Sequence, residues 1–451
     1  MSEFRYPREY SLPLGHVFRA ETGETYKVTG FLGRGGQGEV YRVEGPGGEF
    51  AVKWYHAKLC MDRFEAFREN LRRNAENGVP KLSSGDSATQ FIWPLKMIEA
   101  ENGSYGYLMK IFPPGYESMN KVLMLRKWDS DTGKLMQLHW DSWFARVTAG
   151  LNIVRAFEIL HACGMSYQDL NDGGISVNLQ NGNVLICDCD NVSPDKSNLG
   201  IKGTLLYMAP EVVLNKKRPD RLTDQFSLAV ILFRLFLQGH PLQGVESRSL
   251  NNSEHITQTE AQMRIYGSAP HYCLASRNNQ NPPSPQVNPD VLKLYLTYPM
   301  CLMDAFEQVF TEGLEDPSKR LTATEWRKVL LEVRDSLLVV DGQESFYRVR
   351  VPKPLPSLAR ILVYPHGREV LLMPGKVLYK YHFDEYGSDY KTAVAKVILT
   401  NKPDAIGLLN ESGEPISFSL EGKRAVCQDK GRMPLLKGME LEAGSIKLRV
   451  D

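Results

Sequence analysis

Residues 33–40 read GRGGQGEV and lie between a strand-like run that ends at Phe31 and another that starts at Val40. Glycines at 33, 35 and 38 free the backbone to close over a polyphosphate, with amide hydrogens turned toward its oxygens. Glycine turns are common in hairpins, so this segment alone decides little. The next strand-like run carries Ala51-Val52-Lys53, an alanine-x-lysine arrangement that puts an ammonium opposite such a loop. A lone lysine on a strand is a solvated charge; paired with the glycine loop, it points to phosphate binding.

The pattern around this pair predicts a small sheet. Tyr26–Phe31, Val40–Val43 and Glu49–Tyr55 read as strands joined by glycine turns, and further strands are expected at Phe91–Ile98 and Tyr105–Ile111. Between them Phe64, Phe67 and Leu71 recur at helical spacing within Met61–Asn74. Helical periodicity then dominates, at Trp140–Cys163, Thr223–Leu237, Val291–Gly313 and Thr322–Leu338. Residues 244–290 are polar, contain NNQNPPSPQ and read as a partly ordered insertion or loop. VPKPLPS, at 351–357, reads as an extended linker. After it, Arg360–Tyr364, Val370–Met373, Ala395–Leu399, Ile416–Leu420 and Ile446–Val450 alternate with glycine turns, as in a small β-sandwich.

Chemistry-bearing residues continue in order along the helical part. Tyr167-Gln168-Asp169-Leu170 follows the first long helix, and Asp188 stands nineteen residues after Asp169, behind the apolar run Val184-Leu185-Ile186. Two carboxylates so spaced suit one facing an acceptor hydroxyl and one holding magnesium against phosphates. Gly203–Glu211 closes with alanine-proline-glutamate, Asp224 opens an apolar helix, and Arg320 follows Glu315-Asp316-Pro317.

With these residues in view, the chain resembles a eukaryotic-type protein kinase over roughly residues 26–338. The segments GGQGEVYRV, FIWPLKMI, YGYLMK, YQDLNDGG, LICDCDN and DQFSLAVILFRLF are similar to a bacterial branch of Ser/Thr kinases. Members of that branch resemble three-part signalling systems with a von Willebrand-type partner and a protein phosphatase. The resemblance implies an α+β bilobal fold, with an N-terminal extension at 1–22 and a kinase domain at 23–340. The β-rich lobe would span about 23–112 and the helical lobe about 113–340, with a linker at 341–357 and a sandwich at 358–451. It implies that Gly33, Gly35, Gly36, Gln37, Gly38, Val40, Ala51 and Lys53 bind ATP, that Asp169 is the catalytic carboxylate and that Asp188 holds Mg2+. Glu211 and Arg320 would form an ion pair, with Asp224 a further structural residue. The carboxylate that orients Lys53 is Glu65 or Glu69, one helical turn apart on one face, with Glu69 favoured for its distance along the chain. More weakly, residues 370–450 resemble a forkhead-associated sandwich, through Gly407–Ser412 and Leu436-Lys437-Gly438, in degenerate form.

Four positions depart from the kinase pattern. Gln168 stands for the arginine before the catalytic aspartate, so an activation-loop phosphate would find no ion-pair partner there. Asn171 replaces a lysine, and Gly174 replaces the asparagine that holds a second magnesium. Asp190 stands where a glycine would follow the metal aspartate. It is read either as a second metal ligand beside Asp188 or as a solvated loop residue.

Composition narrows the function further. Fifty-four Lys and Arg against 53 Asp and Glu give a net charge of +1, no field for nucleic acid or acidic lipid. Seven scattered cysteines, with no second pair to complete Cys187 and Cys189 as a zinc site, suit a reducing cytoplasm. The longest apolar run, Phe226–Leu237, carries Arg234 and is short of a bilayer span. The expected function is ATP- and Mg-dependent phosphoryl transfer to a protein serine or threonine. Two other readings remain: a pseudokinase scaffold recruiting partner proteins, and a small-molecule kinase of the aminoglycoside type. The latter is disfavoured by the peptide-presenting look of Gly203–Glu211 and Asp224.

Overall fold

The computed structural model describes residues 11–77, 90–128, 134–340, 342–349, 358–365, 367–384, 387–402, 405–443 and 446–451, with backbone alone at 58–64 and 443. The linker residues 350–357 and the extension up to residue 10 lie outside the described residues. Two compact units divide the chain. The first comprises Met1–Asp141, Thr148–Val291 and Phe306–Trp326; the second comprises Ser142–Val147, Leu292–Ala305 and Arg327–Asp451.

The first unit opens with an antiparallel sheet of β1 (Val17–Arg19), β2 (Thr25–Arg34), β3 (Gly38–Gly45), β4 (Gly48–Tyr55), β5 (Lys96–Glu101) and β6 (Ser104–Met109). Their spatial order is β1-β2-β3-β4-β6-β5. Alternation along β2 to β4 sends Tyr26, Val28, Tyr41, Val43 and Val52 to one face, where they pack with Phe18, Trp54, Ile98 and Leu108. Ala51, Tyr55, Tyr107 and Met109 cover the other face with Leu71 of α1 (Ala57–Asn77). This helix is longer than the periodicity of 61–74 predicts.

The helical lobe is built on α2 (Trp143–Ala162) and α3 (Arg221–Leu237). Between them runs a hairpin of β7 (Ile175–Val177) and β8 (Val184–Ile186), paired Ile175 to Ile186. Asp220 caps α3, accepting from the amides of Leu222 and Thr223, while Phe226 and Phe233 pack edge to face on Phe310.

Within the partly ordered stretch 244–290, Thr257 and Glu260 form a reciprocal cap on Gln258–Met263, and Ala261, Ile265 and Tyr266 are buried. The helix expected over 291–313 is interrupted, giving Pro289–Tyr295 and Met300–Phe310. Pro299, just before the second piece, provides no amide for a continuous ladder.

In the second unit, the strands after residue 358 form two antiparallel sheets, of six and four strands. Leu362, Val370, Leu378, Val397, Leu408, Leu441 and Leu448 are among the buried side chains of one core. This is the expected sandwich. The C-terminal part of the helix Ala323–Asp335 counts with this unit, so compactness follows contacts where the expected boundary near 340 follows chain order. Asp335 explains the grouping: it accepts from His382 Nε2 at 2.9 Å and Tyr381 Oη at 2.6 Å, and pairs with Arg368.

Candidate active site

The glycine loop is the turn between β2 and β3. Gly35 N donates to Gly38 O at 2.8 Å, and a Cβ added at Gly33, Gly35 or Gly36 would meet nothing within 4 Å, so this backbone is open to a ligand. Gly38 is required for a different reason: a Cβ there would lie 2.2 Å from Trp54 O, because β3 crosses β4 closely. Val40 packs with Ala51, Met109 and Leu185 in one apolar cluster beside the loop.

Register places Lys53 opposite Val40. Its Nζ lies 2.7 Å from Asp190 Oδ2, 3.0 Å from Asp188 Oδ1 and 3.2 Å from Gln37 Oε1. Burial works against the ammonium, but Asp190 and Asp188 outweigh it and raise its pKa. Asp188 leaves β8 in a left-handed conformation, φ 47°, and its side chain is 54% exposed. Asp190 is fully buried, with Oδ2 also accepting from Tyr55 Oη at 2.5 Å.

Neither candidate helix glutamate is a partner of Lys53. Glu69 is exposed and bonded to Arg72, 2.5 Å away, and Glu65 is exposed as well. What α1 presents to the loop is Asn70, whose Nδ2 donates to Val192 O at 2.9 Å, and Asn74, which donates to the same oxygen at 2.7 Å. Glu69 as the orienting residue is therefore corrected: the 3.6-residue period carries it to the solvent side of a helix whose buried residues include Asn70, Leu71 and Asn74. Asp190 is buried, because Cys189–Asn191 turn as a 3-10 helix and carry it inward. The solvated-loop alternative falls with the same burial.

Asp224, 1% exposed, accepts from the amides of Tyr167 at 2.7 Å and Gln168 at 2.9 Å, so the apolar helix α3 clamps the loop just before Asp169. Burial raises the pKa of Asp169, with Asp188 and Asp190 adding to it, while hydrogen bonds from Thr204 and Asn171 oppose the rise. Thr204 Oγ1 donates to Asp169 Oδ1 at 2.9 Å, and Asn171 Nδ2 reaches the same oxygen at 3.3 Å. Glu211 and Arg320 form a two-bond fork at 2.7 and 2.9 Å. Gln168 is held by neutral groups: it donates to Ser166 Oγ at 3.0 Å and Ser193 Oγ at 2.6 Å and accepts from Asn198 at 2.8 Å.

Sequence reading missed Asn70, Asn74 and Thr204. Asn70 and Asn74 left one signal, two amides four residues apart on the helix face that also carries Phe67 and Leu71. Among the described residues no group of three His, Cys, Asp or Glu is arranged to hold a metal ion. Asp188, with its exposed side chain, fits a magnesium that takes its remaining oxygens from phosphates and water, which is how that ion is usually held.

Residues 130–329 match the family model described as protein kinase domain. The chain is 27% identical over 202 residues to the mitogen-activated protein kinase mpkC of Aspergillus oryzae, covering 43% of this chain and 55% of that protein. Over 258 residues it is 24% identical to human ribosomal protein S6 kinase alpha-4, covering 55% of this chain and 30% of the relative. The chain thus spans about a third to a half of the length of these relatives. The solved PknI kinase domain of Mycobacterium tuberculosis, as a double mutant, aligns over 72% of this chain and 100% of its own, with TM-score 0.45 and 17% identity. The N-terminal sheet and the helical lobe together have the protein kinase fold, and the kinase-domain match is confined to residues 130–329. Among the described residues no helix is long and apolar enough to cross a membrane.

Proposed function

We propose that this chain is an ATP- and magnesium-dependent serine/threonine protein kinase of bacterial signalling, working in the cytoplasm. The observation that carries the reading is Lys53 Nζ 3.0 Å from Asp188, with Asp169 close enough to feel the charges of Asp188 and Asp190, and the open backbone of Gly35 and Gly36 next to Gln37, which also bonds Lys53. In this reading the glycine loop and Lys53 bind the nucleotide phosphates, and the base lies against the cluster of Val40 and Ala51. Asp169 orients the acceptor hydroxyl and takes its proton. Magnesium, held by Asp188 and phosphate oxygens, would supply charge neutralisation at the transferred group. The likeness to the bacterial branch supports a von Willebrand-type protein and a protein phosphatase as partners, and the sandwich as a degenerate forkhead-associated module.

Incubating the full chain with labelled ATP, magnesium and a generic protein acceptor tests the activity, with Asp169→Asn as control. Transfer by the parent and none by the variant is expected. ATP binding without transfer at any magnesium or manganese concentration would make the chain a pseudokinase instead.

A further inference from the structure

Resting on the kinase reading, we propose that Asp190 is the positioning residue for Lys53, doing from the metal loop what a helix glutamate does elsewhere in the fold. Three observations converge on it. Asp190 Oδ2 is the nearest of the acceptors around Lys53 Nζ, at 2.7 Å, and belongs to a side chain with no exposure. Tyr55, two residues from Lys53 on β4, donates to the same oxygen at 2.5 Å and holds the carboxylate at the end of the strand. The two helix glutamates face solvent, and Glu69 is engaged by Arg72.

The arrangement also solves a conflict at Asp188. That residue is half exposed and touches Lys53, yet in the kinase reading it must turn to a metal. Asp190 remains on Lys53 when Asp188 leaves, so the ammonium keeps a buried counter-charge and stays aimed at the phosphates. Asn70 explains how α1 takes part without an ion pair. Its amide donates to Val192 O at 2.9 Å and lies 3.5 Å from Asp190 O, and Asn74 donates to the same Val192 carbonyl. The helix therefore anchors the backbone that carries Asp190, and Asp190 holds Lys53.

Calorimetric titration of the full chain with ADP, with and without magnesium, reads this coupling whether or not phosphoryl transfer occurs. Asp190→Asn keeps an acceptor for Lys53 and Tyr55 and removes only the charge. We expect Lys53→Met and Asp190→Asn each to weaken ADP by roughly tenfold, the scale of one charge-assisted hydrogen bond. The double variant should be no weaker than Lys53→Met alone, because Asp190 acts through Lys53. Losses that multiply in the double variant overturn the proposal, as does a loss in Asp190→Asn confined to magnesium-containing buffer, the signature of a metal ligand. Should Asp190→Asn fail to fold, Glu65→Gln and Glu69→Gln decide: both binding ADP like the parent supports the assignment, and either matching Lys53→Met overturns it. A parent chain that binds no adenine nucleotide defeats the kinase reading itself, a result separate from multiplied losses in a parent that binds.

Discussion

The hydroxyl of Tyr167 occupies the space that a side chain at position 174 needs: a Cβ built on Gly174 would lie 2.5 Å from it. Tyr167 is 1% exposed, and its hydroxyl donates to Cys187 O at 2.5 Å, tying the loop before Asp169 to the residue before Asp188. The missing asparagine at 174 is thus one half of a pair. The tyrosine bridges the two aspartate-bearing segments through the volume where a second metal ligand would start.

Gly174→Asn alone should therefore destabilise the chain by about 1–3 kcal/mol, the usual cost of overpacking a buried site. Tyr167→Phe should cost about 0.5–1.5 kcal/mol for one lost hydrogen bond. The ring carbon left behind would be 3.5 Å from the added Cβ, ordinary contact, so in the double variant the two losses should add to less than their sum. Thermal unfolding of the four proteins measures the coupling, and strict additivity would contradict the steric argument.

Arg320 has no exposed side-chain area and is bonded to Glu211, Gly313 O and Leu222 O, so it ties the segment that carries Glu211 to the start of α3. Arg320→Ala should cost about 3–5 kcal/mol, since it strands a largely buried carboxylate. Burial pushes the Glu211 carboxyl up, but Arg320 prevails and holds it below its usual value. Its contribution to stability is accordingly complete above the unfolded pKa of about 4.3 and is lost as pH falls through the lower folded value. Acid titrations followed by circular dichroism should show a steeper loss in the parent than in Glu211→Gln.

Lys376 in the second unit donates to the carbonyls of Arg334 at 3.2 Å and Asp335 at 2.9 Å, closing the end of the helix Ala323–Asp335. Burial pulls its ammonium down to about 8, with Asp335 opposing. Asp335→Asn removes the charge shared by Arg368 and Lys376 and should cost about 3–5 kcal/mol at neutral pH. An amine with a lowered folded pKa binds its proton more weakly in the native state, so stability rises with pH between about 8 and the unfolded value near 10.4. Calorimetric melts as pH rises through the folded value of about 8 should show the cost of Asp335→Asn shrinking as Lys376 becomes neutral; a constant cost would separate the two residues.

Much of the candidate site was legible because its parts are local in sequence. The glycine turn, the strand lysine and the two loop aspartates each sit at a fixed offset from a strand or helix end, and Lys53 meets both Gln37 of the turn and Asp188. The partner of Lys53 was not legible. Helical period puts Glu65 and Glu69 on one face, but which face meets the sheet depends on Phe67, Leu71 and the two asparagines packing together. Asp190 stands out in the sequence as a departure at the glycine position, but strand alternation would put it on the same side as Asp188. The 3-10 turn at Cys189–Asn191 breaks that alternation and reverses the direction. The interleaving of the two units was hidden for a similar reason, since a proline linker marks where the chain leaves an element and carries no record of which buried groups, such as Asp335, meet later strands.

Asp169 offers a direct reading of its own environment through the pH dependence of turnover. In the kinase reading it must be ionised to take the acceptor proton, and burial raises its pKa while Thr204 and Asn171 hold it down. Thr204→Val removes the 2.9 Å donor to Oδ1 and keeps the side-chain shape, so the folded pKa should rise further. The protonated, inactive form would then persist to higher pH, and the acidic limb of kcat against pH should move upward, with a smaller change on the plateau. Thr204→Ser keeps the hydroxyl and should restore the parent's limb. A limb that stays in place in Thr204→Val would show that the titrating group is not Asp169.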